Sequence, residues 1–164
     1  MSNKIRFNTL NNKNSLGQAA SCLTLAMASD SEVTEKEIEV LKVAIDNLAG
    51  FYDYEDSEVI SHQVQTAIDT TLEAIDFEEG SSPEQIKTLA GLAAKNITDR
   101  TLGALIIAMS TAITGEDELA MEEQVVLDFF KTFWDISSKE LIKAEALIPE
   151  ITNIMLLQMA ALKR

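Results

Sequence analysis

The sequence has 164 residues, 46% of them hydrophobic, which is the size and composition of one ordinary domain that needs no disulfide to bury its core. Its single cysteine, Cys22, cannot form an internal disulfide and fits a reducing compartment. The 27 acidic and 13 basic side chains give a net charge of −14, which disfavours nucleic acid and anionic lipid as partners and favours divalent cations or basic protein surfaces.

The first 14 residues differ in composition from the rest of the chain. They contain five Asn and no acidic side chain, so we expect an irregular lead-in before one helical domain over residues 15–164. No apolar run of signal-peptide form follows Lys4 and Arg6. The longest apolar stretch, residues 102–113, is shorter than the roughly 20 residues that span a bilayer. We therefore expect a cytoplasmic protein without an export signal or a transmembrane segment.

Apolar residues at helical spacing predict a first helix, whose stripe is Leu16, Ala19, Ala20, Leu23 and Met27. This helix should end near residues 29–31, where short polar side chains compete for backbone hydrogen bonds. Thr34 and Glu37 then fit a capping box, which begins a second helix that stops at Gly50.

Two further helices follow an acidic, aromatic link. The third has an apolar stripe of Ile60, Val64, Ile68, Leu72 and Ile75. The fourth begins at Ser82, with Gln85 at the third helical position, because Pro83 suits the first helical position.

The remaining sequence predicts three more helices and no strand. Thr98 is the expected cap of the fifth, which runs from about Asp99 to Ile113. The sixth runs from about Leu119 to Trp134 and should supply most of the aromatic core through Val126, Phe129, Phe130, Phe133 and Trp134. A capping box over residues 137–140 begins the seventh, which should bend at Pro149. The predicted fold is an all-α, compact seven-helix bundle.

Two parts of the chain resemble each other 86 positions apart. The aligned pairs are Leu16-Gly17 with Leu102-Gly103, Ala26 with Ala112, Glu32 with Glu118, Glu37 with Glu123, and Val40-Leu41 with Val126-Leu127. Each copy is a short apolar helix, an acidic loop and an amphipathic helix. We therefore predict an internal helix–loop–helix duplication that relates residues 16–50 to 102–135 by an approximate two-fold axis.

The two acidic loops, residues 30–37 and 116–123, are the strongest candidate for a site. Hard cations such as Ca²⁺ and Mg²⁺ need several oxygen ligands, which loop carboxylates and one from the next helical turn can supply. We expect Val33 in the first loop and Leu119 in the second to pack against the core and so fix the position of each loop. An EF-hand is excluded, since counting from the first acid of each loop puts Leu41 or Leu127 where the bidentate Glu belongs.

A structural role for the same acids is the alternative. Glu37 completes a capping box with Thr34, and acids in a first turn also favour the helix dipole. The second copy has Ala120, which has no hydroxyl, in place of the threonine, yet it keeps Glu123. That difference favours a role beyond capping, although both interpretations stay open on the residues alone.

The paired loops, seven helices and acidic composition resemble the TerB-like (tellurite-resistance) family over roughly residues 16–160. The usual loop of that family has Asp-Gly-Glu, an apolar residue, and a Glu four positions later. Residues 30–33 with Glu37 follow this pattern with Ser31 in place of Gly, and residues 116–119 with Glu123 follow it less closely.

The resemblance implies an intracellular, non-enzymatic protein associated with stress and tellurite resistance, which binds a metal or a protein partner through these acids. The implied ligands are Asp30, Glu37, Glu116 and Glu123, with Glu32, Asp117 and Glu118 as secondary ones. Duplicated helix pairs usually pack face to face, so we expect both loops on one face of the molecule, within a Debye length of about 10 Å.

A small-molecule-binding protein is the second functional hypothesis. Its apolar pocket would lie between helices and be lined by residues such as Met27, Met109 and Phe130. An enzyme is less expected, because the sequence has no Gly-rich nucleotide loop, Cys/His cluster or Ser/His/Asp set, although a carboxylate-only metal hydrolase stays open. His62 falls on the polar face of its helix and should be solvated, and Cys22 should be a small core residue.

Overall fold

The computed structural model describes residues 13–29, 33, 35–50, 57–75, 82–114 and 121–147, which form seven α-helices and no strand. The helices are α1 (Leu16–Ala28), α2 (Glu35–Ala49), α3 (Ser57–Glu73), α4 (Pro83–Ala94), α5 (Arg100–Thr114), α6 (Met121–Phe133) and α7 (Ser138–Leu147). The predicted all-α class is confirmed for these residues. None of these helices is both long and apolar enough to cross a membrane. The predicted cap at Thr34 and bend at Pro149 lie outside the described ranges.

Capping boxes form at the starts of α4 and α7, and the one before α7 was predicted from the sequence. In α4, the Gln85 amide donates to Ser82 Oγ at 3.2 Å, and the Ser82 amide donates to Gln85 Oε1 at 2.7 Å. Before α7, the Glu140 amide donates to Ser137 Oγ and the Ser137 amide donates to Glu140 Oε1, both at 3.2 Å. Each pair satisfies two backbone amides that a helix start would otherwise leave without a partner.

The predicted cap of α5 is wrong by one residue. Asp99, not Thr98, caps the helix, since its Oδ1 accepts from the amides of Thr101 at 2.9 Å and Leu102 at 3.2 Å. The hydroxyl of Thr98 instead accepts a hydrogen bond from Asn14, far away in the sequence. The cap therefore moves to the next side chain that can reach the free amides.

The centre of the bundle consists of α1 and α5. Every residue from Cys22 to Ala28 and from Leu102 to Ser110 is buried. Helix α1 contacts α2, α3, α4, α5 and α6, while α5 contacts α1, α2, α6 and α7. A helix buried on all sides needs apolar residues around its whole circumference, which explains why these two segments are the most hydrophobic of the chain.

Asn14 joins the starts of α1 and α5. This residue is 1% exposed and has a φ of 58°. Its amide donates to Asn96 O at 2.8 Å, and its Oδ1 accepts from the amides of Thr98 at 2.7 Å and Asp99 at 3.1 Å. The predicted lead-in therefore ends in a buried junction, and the two central helices begin beside each other.

The aromatic residues of α6 divide between core and surface. The ring of Trp134 stacks on Phe130 with centroids 4.6 Å apart, and Trp134 Nε1 donates to Ala94 O at 3.1 Å. Phe133, however, is 50% exposed and stacks on Phe129 instead. The expectation that Phe133 belongs to the core is wrong, because the stripe of α6 that is buried follows a line from Val126 to Phe130 and Trp134.

The turn between α6 and α7 is held by a helix C-cap and by Arg100. Asp135 has a φ of 53°, and the next amide, of Ile136, donates to Lys131 O at 3.0 Å, as in a Schellman motif. Arg100 donates to Asp135 O at 2.6 Å and to both carboxylate oxygens of Glu140, at 2.6 and 3.1 Å. These bonds join the first turns of α5 and α7.

Candidate functional site

The structure describes two of the seven predicted metal ligands, Glu37 and Glu123. They occupy equivalent places, because each is the third residue of the helix that follows an acidic loop, α2 in one case and α6 in the other. The loop acids lie outside the described residues, namely Asp30, Glu32, Glu116, Asp117 and Glu118. The expected distance between the two sets of loop carboxylates therefore stays a prediction.

Glu123 is much more buried than a first-turn acid usually is. It is 6% exposed, whereas Glu37 is partly exposed. Both acids take part in hydrogen-bonding or electrostatic interactions within the protein. Removing a carboxylate from water costs several kcal/mol unless such interactions compensate, so the interactions that Glu123 makes within the protein are needed to keep it at this position.

The chain is anchored on both sides of the first acidic loop. Ser29, at the end of α1, is 1% exposed, and its Oγ donates to Ala26 O at 3.0 Å. Val33 is partly buried and packs against the core, as the sequence predicts. Its counterpart in the second loop, Leu119, lies outside the described residues. Ser29 and Val33, the described residues nearest to the acids of the first loop, therefore both contact the rest of the protein.

The helix contacts in the two halves of the chain follow one pattern. Helix α1 contacts α2 and α3, and α5 likewise contacts α6 and α7. Between the halves, α1 contacts α5 and α6, and α5 contacts α2. Helix α4 stands apart from this pattern and contacts α1 and α6.

Histidine and cysteine do not extend the candidate site. Among the residues that the structure describes, no three His, Cys, Asp or Glu side chains form a group suited to a metal ion. His62 is exposed on α3, as predicted. Cys22 is fully buried, and this burial raises the pKa of its thiol far above the ordinary value, so the neutral thiol persists.

An open groove lies between α1, α3 and α4. Its volume is about 250 Å³, and its walls include Leu25 of α1, Thr70 and Thr71 of α3, and Leu89 and Leu92 of α4. None of the described residues that line it is charged.

The residues predicted to line a pocket, Met27, Met109 and Phe130, are instead fully buried in the core. The groove is not apparent in the sequence because its walls come from three helices. The signal that was available is Leu92, an apolar residue on a face of α4 that is otherwise exposed.

No family model matches the chain, and searches of curated proteins and of solved structures find no match either. The resemblance to the TerB-like family therefore stays a prediction that rests on the residues of the two loops.

Proposed function

We propose that this chain is a non-enzymatic, TerB-like helical protein that binds a divalent cation through its duplicated acidic loops. The observation that supports this most directly is the placement of Glu37 and Glu123 at the same position of the first turn of α2 and α6. Each follows a loop with several carboxylates, so each adds a helix-borne oxygen donor beside the loop. The association with stress and tellurite resistance comes from the resemblance alone.

The burial of Glu123 favours a role beyond helix capping. A first-turn acid gains about 0.3–1 kcal/mol from the helix dipole at an exposed position, which is less than the several kcal/mol that burying a carboxylate costs. Ala120 provides no hydroxyl for a capping box with Glu123. A cation near this residue would favour the charged form, in addition to the interactions that Glu123 already makes within the protein at a position 6% exposed.

The helix arrangement also supports a shared cation site. Because α1 and α5 begin beside each other at Asn14 and stay in contact, we expect their other ends to lead into the two acidic loops on one side of the bundle. The matching contacts of α1 with α2 and of α5 with α6 are those expected of an internal duplication that relates residues 16–50 to 102–135. Two loops brought together would repel each other unless a cation or a basic partner surface lay between them.

Thermal unfolding in Ca²⁺ or Mg²⁺ tests the proposal. A ligand that binds only the folded state stabilises it by about 2.7 kcal/mol at one hundred times its Kd, so millimolar metal should raise Tm more than NaCl of matched ionic strength. Glu123→Gln should remove most of the metal-specific increase. Glu84→Gln is the matched control, because it removes the same charge from the first turn of α4.

Native mass spectrometry of protein purified without chelator gives a second readout, with one or two bound metal ions expected. The proposal is wrong if the protein carries no metal and if Ca²⁺, Mg²⁺ and matched NaCl raise Tm equally. If Glu84→Gln and Glu123→Gln reduce the metal-dependent increase in Tm equally, the metal acts by general screening of the −14 charge. That result would also contradict the proposal.

A further inference from the structure

We draw no further inference here: the strongest candidate, the apolar groove between α1, α3 and α4 with the half-exposed Leu92 on its wall, carries none because nothing in the described part of the chain shows what covers it.

Discussion

Asn14 binds Thr98 through both atoms of its side-chain amide: Oδ1 accepts from the Thr98 amide at 2.7 Å, and Nδ2 donates to Thr98 Oγ1 at 2.8 Å. The two residues are 84 positions apart, so this pair connects the start of α1 to the start of α5. The φ of 58° at Asn14 is one that asparagine tolerates better than most residues. Asparagine therefore satisfies a backbone requirement and a hydrogen-bonding requirement at one position.

Asn14→Ala should lower the free energy of unfolding by about 3 kcal/mol, because it removes the buried acceptor of the amides of residues 98 and 99 and adds backbone strain. Asn14→Gly should cost about 1 kcal/mol less, since glycine relieves the strain but restores no bond. Denaturant unfolding followed by the fluorescence of Trp134 measures both. A loss below about 1 kcal/mol for Asn14→Ala would contradict the role of this junction.

The two aligned glycines, Gly17 and Gly103, should respond to alanine in opposite directions. A Cβ on Gly103 would lie 3.0 Å from Cε3 of Trp134, whereas a Cβ on Gly17 has its nearest neighbour, Gln63 O, at 3.7 Å. Trp134 cannot move freely, because it stacks on Phe130 and donates to Ala94 O.

We expect Gly17→Ala to stabilise the protein by about 0.5–1 kcal/mol through its better helix propensity, and Gly103→Ala to destabilise it by about 1–2 kcal/mol through overpacking. Only Gly103→Ala should also shift the fluorescence of Trp134. Thermal and denaturant unfolding of both variants provide the test. Equal stabilisation by both substitutions would show that Trp134 can move aside without a loss of stability.

The ion pair between Arg100 and Glu140 should make part of the stability depend on pH. Hydrogen bonds from Arg100, and then from Ser137, lower the pKa of Glu140 from 4.5 to about 2. Since the folded-state pKa lies below the ordinary value, the stabilising contribution is complete above about pH 4.5 and is lost as the pH falls towards 2.

Glu140→Gln should therefore lower Tm at pH 7, and the difference from the unsubstituted protein should narrow between pH 4.5 and 2. Glu145→Gln, at an exposed position of α7, is the control, because it changes the net charge by the same amount. An NMR titration of the Glu140 carboxylate gives the pKa directly. A midpoint at or above 4.5 would show that Arg100 does not hold this carboxylate in solution.

Cys22 should be unreactive in the folded protein. It is fully buried in α1, and its thiol has a raised pKa because burial disfavours the thiolate. We expect a thiol reagent at pH 8 to modify the native protein at least about a hundredfold more slowly than the protein in denaturant, since modification requires opening of the core. Comparable rates in both conditions would mean that α1 is accessible from solution.

Features of the fold that depend on neighbouring residues were predictable from the sequence. The capping boxes at Ser82 and Ser137 are examples, because each requires only side chains three positions apart. The cap of α5 was not predictable, since Thr98 is bound by a residue 84 positions away. The prediction that Phe133 belongs to the core was wrong for a similar reason, because helical spacing does not show where the helices that cover α6 end.

The candidate site shows the same limit. The sequence identified Glu37 and Glu123 as equivalent acids, and the structure places both in first helical turns. It did not indicate that Glu123 would be 6% exposed, because the helices that surround a residue are not encoded near it in the chain. The groove at Leu92 was missed because three separate helices form it.

The central position of α1 affects how this chain folds as it is synthesised. The helix emerges from the ribosome before α4, α5 and α6, which cover part of it, and the partner of Asn14 at its start lies 84 residues further along the chain. Contacts of such long sequence separation slow folding, and the apolar circumference of α1 stays exposed meanwhile. The nascent amino-terminal half is therefore the form of this protein with the greatest need of a chaperone.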